Sequence, residues 1–232
     1  MASTIIPALI VVDMQEDFCE PHGSLAVQNG REIAPKINEL LNYPGWKLRV
    51  ATRDVHPPNH ISFASNHQDK KAFVSSHTIR NPENEGGTQT TLLWPDHCVE
   101  NTFGAQIIPE INSSKFDIII SKGTDPRVES YSGFGPPFRN PRVSMSDLDA
   151  KLKAAGITHV FCVGLAYDFC VKCTAVDAVE FGYRSYLVED ATRGVHHGAE
   201  NVERLRDELK GAGVEVVGME DEVLRGVREG RA

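Results

Sequence analysis

Apolar residues fall into short continuous runs, separated by stretches in which they recur every three or four positions. The first run, 4–12 (TIIPALIVV), has strand length and is apolar at successive positions, so both of its faces must be covered. The same texture returns at 47–52 (KLRVAT), 116–120 (FDIII), 159–163 (HVFCV) and 184–188 (RSYLV), and more weakly at 214–217. Helical stripes lie between several of these runs. Ile33, Ile37, Leu40 and Leu41 form one, with Pro35 confining its start. Leu148, Leu152 and Ala155 form another, with Ser146 and Asp149 at capping-box spacing and Gly156 as the stop. Val171, Ala175, Ala178 and Val179 mark a helix over 170–181; Ala199, Val202, Leu205 and Leu209 mark one ending at Gly211. Strand and helix in alternation predict an α/β fold of three layers, α/β/α, around a central six-stranded, mostly parallel sheet. No repeat or linker divides the chain, so residues 1–232 are expected to form a single domain. Two stretches, 57–102 and 123–143, show no periodicity, and loops of that length in a compact domain have something to cover.

Composition narrows the range of functions. The chain has 24 basic and 32 acidic residues, a net charge of −8 spread along its length. An acidic surface disfavours nucleic acid and anionic membranes and points to small-molecule work. No run approaches membrane-spanning length and no signal-peptide pattern is present. Five cysteines at irregular spacing do not resemble a secreted disulfide framework. The expectation is a cytoplasmic protein with reduced thiols.

In an open α/β sheet the ligand crevice lies beyond the carboxyl ends of the strands. Four predicted strands deliver chemistry there: Asp13; Asp54-Val55-His56; Lys122; and, through Gly164, the turn leading to Cys170. At a helix start Cys170 would feel the positive end of the helix dipole, which favours thiolate, although most intracellular cysteines are packing residues. Asp13 reads either as a strand-end cap or as a buried general base for that thiol. Lys122 reads as a surface lysine or as the cation that stabilises the thiolate. Asp54 and His56, two apart in an extended segment, converge as hydrogen-bonded structural residues or as metal ligands, with His97 as the obvious third and His60 and His67 as alternatives. Cys170 and Cys173 also spell C-x-x-C. The redox reading needs different neighbours and a zinc ribbon needs a second pair, so Cys173 and Cys162 read as packing.

Taken together, Asp13 with Phe18, Asp54-x-His56, Trp94-Pro95-x-His97-Cys98-Val99, Lys122-Gly123, Tyr131-Ser132-Gly133-Phe134 and Gly164-Leu165-Ala166-x-Asp168-x-Cys170-Val171 resemble the isochorismatase-like cysteine hydrolases, and within them the nicotinamidases. The resemblance implies the isochorismatase-like, Rossmann-like fold and hydrolysis of nicotinamide, and also of pyrazinamide, in NAD salvage. It implies a catalytic triad of Cys170, Asp13 and Lys122 working through a thioester, with an oxyanion hole from the N–H groups of Ala166 and Cys170 after a cis Leu165–Ala166 peptide. It implies a divalent metal on Asp54, His56 and His97, zinc first and iron or manganese as alternatives, with His60 as a candidate further ligand. Phe18, Trp94, Tyr131 and Leu165 match substrate-binding positions. Relatives often associate, so a homo-oligomer is among the expectations. Tyr167 departs from the Thr many relatives carry. A sibling amidohydrolase acting on a carbamoyl or ureido compound would keep the triad but leave Asp54, His56 and His97 without evident purpose. A non-catalytic relative would have lost a triad member.

Overall fold

The computed structural model describes residues 5–231; Thr4, the first residue of the leading apolar run, lies outside them. The elements in chain order are β1 (Pro7–Val12), α1 (Ala34–Leu41), β2 (Leu48–Asp54), β3 (Ser76–Asn81), β4 (Asn84–Leu92), β5 (Ile118–Lys122), α2 (Leu148–Ala154), β6 (His159–Leu165), α3 (Lys172–Glu180), β7 (Arg184–Arg193), α4 (Ala199–Gly211), β8 (Val214–Val217) and α5 (Glu222–Arg228). Six strands form one sheet in the order β5-β2-β1-β6-β7-β8, and every neighbouring pair is parallel.

The leading apolar run explains the layering. β1 is buried at every position. Leu9 and Val11 point into a core with Ile37 and Leu40 of α1 and Leu224 and Val227 of α5. Ala8, Ile10 and Val12 point into the other, with Leu148 and Leu152 of α2, Ala175 and Ala178 of α3, and Leu205 and Leu209 of α4. Each large aliphatic side chain so buried contributes about 1.5–3 kcal/mol. Gly164, at φ +109°, sits where β6 presses on β1; a Cβ there would run into the Val12 carbonyl.

Several local expectations change. β2 and β5 run two residues past the apolar runs at 47–52 and 116–120, to Asp54 and Lys122, so these side chains stand at the strand ends. The capping box ahead of α2 does not form: Ser146 Oγ accepts the Leu148 N–H (3.2 Å) and donates to the Gly133 carbonyl (2.6 Å), while Asp149 accepts from Lys153 (2.7 Å) and the Tyr183 hydroxyl (2.9 Å). The 57–102 stretch contains an antiparallel hairpin, β3–β4. It shows no apolar alternation because Ile79 is its principal core residue, in a small cluster with Val128, Phe138 and Val143. The short helix α5 has no counterpart among the predicted stripes.

Candidate active site

The carboxyl ends of β1, β2, β5 and β6 meet at one buried point. The chain leaves β1 through Asp13 in the left-handed region (φ 48°), a conformation that Asp tolerates better than most residues, and this turns its fully buried carboxylate inward. Thr52 Oγ1 of β2 donates to Asp13 Oδ1 (2.6 Å). Lys122 Nζ forms an ion pair with Asp13 Oδ2 (2.9 Å), donates to Asp54 Oδ1 (2.6 Å) and the Ser130 carbonyl (3.1 Å), and lies 3.5 Å from Cys170 Sγ. The ammonium therefore joins Asp13, the Cys170 thiol and the expected metal ligand Asp54, and it couples two groups that sequence reasoning treats separately. Gln15 fixes the geometry from below, donating to the Asp54 and Ala105 carbonyls (2.7 and 3.0 Å) and accepting the Asp54 N–H (2.7 Å).

Cys170 lies not at the start of an α-helix but in a π turn, Tyr167–Val171, just ahead of α3, and is 6% exposed. The expectation of a dipole-stabilised thiolate does not hold there. Burial pushes the thiol well up, against the lowering effect of Lys122. Burial also raises Asp13, to about 6, with Lys122 opposing and Asp54 reinforcing. Near neutrality the proton thus rests on sulfur and Asp13 is the ionised acceptor beside it. Burial opposes ionisation of Asp54 too, but the neighbouring Lys122 ammonium holds it below the ordinary carboxylate range. Lys122 is raised well above its usual value: burial works against the ammonium, and Asp13 and Asp54 outweigh it.

Asp54, His56 and His97 place one ligand atom each within 4.8 Å of one another. His56 Nδ1 lies 2.9 Å from the Gly123 carbonyl and His97 Nδ1 2.8 Å from the Pro95 carbonyl; with Nδ1 as the donor, each Nε2 lone pair is free. The buried His56 Nε2 has no hydrogen-bond partner among the described residues and faces Asp54 Oδ2 at 3.7 Å. One carboxylate and two imidazoles, one with an orphaned lone pair, are a donor set that fits a divalent cation. Burial depresses His56 to about 3, so the ring stays neutral. His60 is placed differently from the expected further ligand. Its Nδ1 pairs with Ser62 Oγ (2.8 Å) and its Nε2 with the Val128 carbonyl (3.1 Å), and its ring lies tilted against His56 with centroids 4.1 Å apart. His67 lies away from the group, bonded to the Ile61 carbonyl. Phe63, fully buried and missed in the sequence, touches all three site imidazoles, its centroid 5.5 Å from His56, 5.6 Å from His60 and 5.4 Å from His97.

A cleft of about 410 Å³, its mouth included, opens onto this centre between Phe18, Trp94, Tyr131, Phe169 and Val195, with Asp54, His97, Ala166 and Cys170 reaching it. Phe18, Trp94 and Tyr131 thus stand together in its wall. Trp94 Nε1–H donates to the Tyr131 hydroxyl (2.8 Å), which also pairs with Thr91 of β4 (2.7 Å), so the unforeseen hairpin braces the wall. Leu165 does not reach the cleft: it is a fully buried core residue packed against Gly30. The Leu165–Ala166 peptide is cis. Glu129 was missed. It lines the cleft with its carboxyl buried, which pushes its pKa up. It sits in the aperiodic 123–143 stretch, where no pattern singles it out.

The isochorismatase domain model matches residues 7–221. A nicotinamidase of Saccharomyces cerevisiae is 38% identical over 215 residues, covering 90% of this chain and 98% of the relative. The structure of a yeast nicotinamidase bound to the inhibitor nicotinaldehyde superposes with a TM-score of 0.85 at 36% identity, covering 92% of this chain and 100% of that one. That of a Pyrococcus horikoshii pyrazinamidase in complex with zinc does so with a TM-score of 0.69 at 38% identity, covering 91% and 98%. A likeness that runs over nearly the whole chain, in sequence and in fold, places this protein in the isochorismatase family and, within it, among the nicotinamidases.

Proposed function

We propose that the protein hydrolyses nicotinamide to nicotinate and ammonia, and that Cys170, Asp13 and Lys122 carry the reaction. The observation that carries this reading is Lys122 Nζ between Cys170 Sγ (3.5 Å) and Asp13 Oδ2 (2.9 Å), at the end of an aromatic cleft. Asp13 takes the thiol proton as Cys170 Sγ attacks the carboxamide carbon. The N–H groups of Ala166 and Cys170 are the donors for the oxyanion, and Lys122 offsets the charge that develops beside it. Asp13 returns the proton to the departing nitrogen, releasing ammonia and leaving a nicotinoyl thioester on Cys170. Asp13 then deprotonates a water, which attacks the thioester carbon; nicotinate leaves and Cys170 recovers its proton. Phe18, Trp94 and Tyr131 hold the ring flat, giving it apolar contact at little entropic cost. Burial keeps the Tyr131 phenol protonated, so it stays a neutral member of the wall.

Asp54, His56 and His97 would hold one divalent ion, zinc in the first instance or iron or manganese. When bound it would supply a Lewis acid for the pyridine nitrogen that positions the ring and withdraws electrons from the carboxamide. The product nicotinate suits a role in NAD salvage, in the cytoplasm. The test is ammonia release from a panel of nicotinamide, pyrazinamide, ureido and carbamoyl compounds, with metal content measured on the same protein. Preference for the pyridine and pyrazine carboxamides, with one ion per chain, is the expected result. Preference for a ureido or carbamoyl compound would assign the chain to a sibling activity.

A further inference from the structure

Asp168 lies two residues before the nucleophile, is 4% exposed at its side chain, and has no part in the reaction just described. Its carboxylate makes three hydrogen bonds, all to one segment. Oδ1 accepts the Val195 N–H (2.9 Å); Oδ2 accepts the His196 N–H (2.8 Å) and pairs with the His196 ring at Nδ1 (2.7 Å). Gly194 makes room for this, since a Cβ there would stand only 3.3 Å from Asp168 Oδ1. The segment follows β7 and brings Val195 into the wall of the cleft beside Phe169, whose ring lies 5.9 Å from that of His196. The turn holding Cys170 is meanwhile secured by other bonds: the Phe169 and Val171 N–H groups donate to the Ala166 carbonyl (3.0 and 3.1 Å), and Thr174 Oγ1 donates to the Cys170 carbonyl (2.7 Å).

We propose that Asp168 is a positioning residue for substrate binding: it ties residues 194–196 to the nucleophile turn so that Val195 closes the cleft around the ring. This rests on the reading of the cleft as the nicotinamide site. A buried carboxylate satisfied by three donors from one loop is costly to remove, because two backbone N–H groups lose their acceptor at once. The effect falls on binding and leaves the reacting groups in place, because the Cys170 turn is held without it.

The test compares Asp168→Ala, Asp168→Asn and Val195→Ala with wild type, in steady-state nicotinamide hydrolysis and in amide hydrogen exchange over 194–198. In Asp168→Ala, KM rises at least about tenfold while kcat stays within about threefold, and exchange over the segment accelerates. Asp168→Asn keeps one acceptor for the Val195 N–H and recovers most of the KM. Val195→Ala leaves the tether intact, so it raises KM without accelerating exchange; it also decides the matter if Asp168→Ala does not fold. Wild-type KM in Val195→Ala, or in Asp168→Ala despite faster exchange, overturns the proposal, as does a loss confined to kcat. If wild type fails to turn over nicotinamide, the reading of the site and the binding half of the proposal fall together, whereas unchanged exchange in Asp168→Ala sinks the tether alone.

Discussion

Lys122 links the groups of the proposed mechanism. Its ammonium is shared by Asp13, Asp54 and Cys170, so one charge faces the proposed base, the thiol and the candidate cation-binding carboxylate. Sequence position brings Asp13, Lys122 and Cys170 to one sheet edge, because parallel strands that run in step end together. The contact between Lys122 and Asp54 is not legible, because it depends on how far β5 runs beside β2, pairing Asp54 with Lys122 in register. As the proposed base, Asp13 sets the acid limit of the reaction. It must be ionised to take the thiol proton and burial places it at about 6, so kcat/KM is expected to be level near neutrality and to fall about tenfold per pH unit below about 6. A pH–rate profile checks this: an acid limb near the ordinary aspartate value would mean that Asp13 is not raised in the working enzyme, and a profile with no acid limb would remove Asp13 as the base. Asp13→Asn, which cannot accept the proton, should lose at least about 1,000-fold in turnover at unchanged fold, read against circular dichroism.

Among the elements, the strand ends are legible and the elements around them less so. Continuous apolar runs mark β1 and β6 most plainly, because both are buried at every position, whereas the edge strands β5 and β8 carry exposed positions and a weaker signal. Leu165 is misplaced onto the cleft when the turn after β6 is read from its motif, whereas the backbone sends Ala166, Phe169 and Cys170 to the cleft and buries Leu165 against Gly30. The hairpin and Phe63 are invisible for different reasons: β3–β4 is largely polar, and a lone aromatic in an aperiodic segment carries no spacing signal. Gly123 and Phe63 nonetheless set the imidazoles. A Cβ at Gly123 (φ +68°) would collide with the His56 ring, so Gly123→Ala is expected to weaken metal binding about 10–100-fold, measured by competition with a chromogenic chelator. Phe63→Ala, which opens a cavity under three histidines, should destabilise the fold by about 3–5 kcal/mol in denaturant unfolding.

For the molecule as a whole, burying the site has a cost that depends on pH. In the metal-free protein burial depresses His56 to about 3 and His60 to about 4, and it lowers His77 and His159 as well. Below about 6.5 these rings bind protons more readily in the unfolded chain than in the folded one. Asp13, raised to about 6, and Glu129, also raised by burial, do the reverse. The histidines outnumber the carboxyls, so unfolding takes up protons on balance. Stability of the chelated protein should therefore rise between about pH 5 and 6, by about 1.4 kcal/mol per unit for each net proton. Urea midpoints across that window measure this, and a slope of opposite sign would mean that the buried carboxyls dominate. The α/β/α layering is legible because a sheet covered on both faces needs helices on both. The candidate cation site is legible in two different ways: Asp54-x-His56 shows a spacing that a strand explains, whereas His97, on a separate loop at no periodic spacing from His56, is picked out by its Trp94-Pro95-x-His97 segment.

The measurement that bears most directly on the nucleophile is the rate of ammonia release from nicotinamide by wild type and by Cys170→Ala, at equal metal content. Sustained release by wild type and a loss of at least about 1,000-fold in the variant are the predicted result. Release by Cys170→Ala within about tenfold of wild type would contradict it.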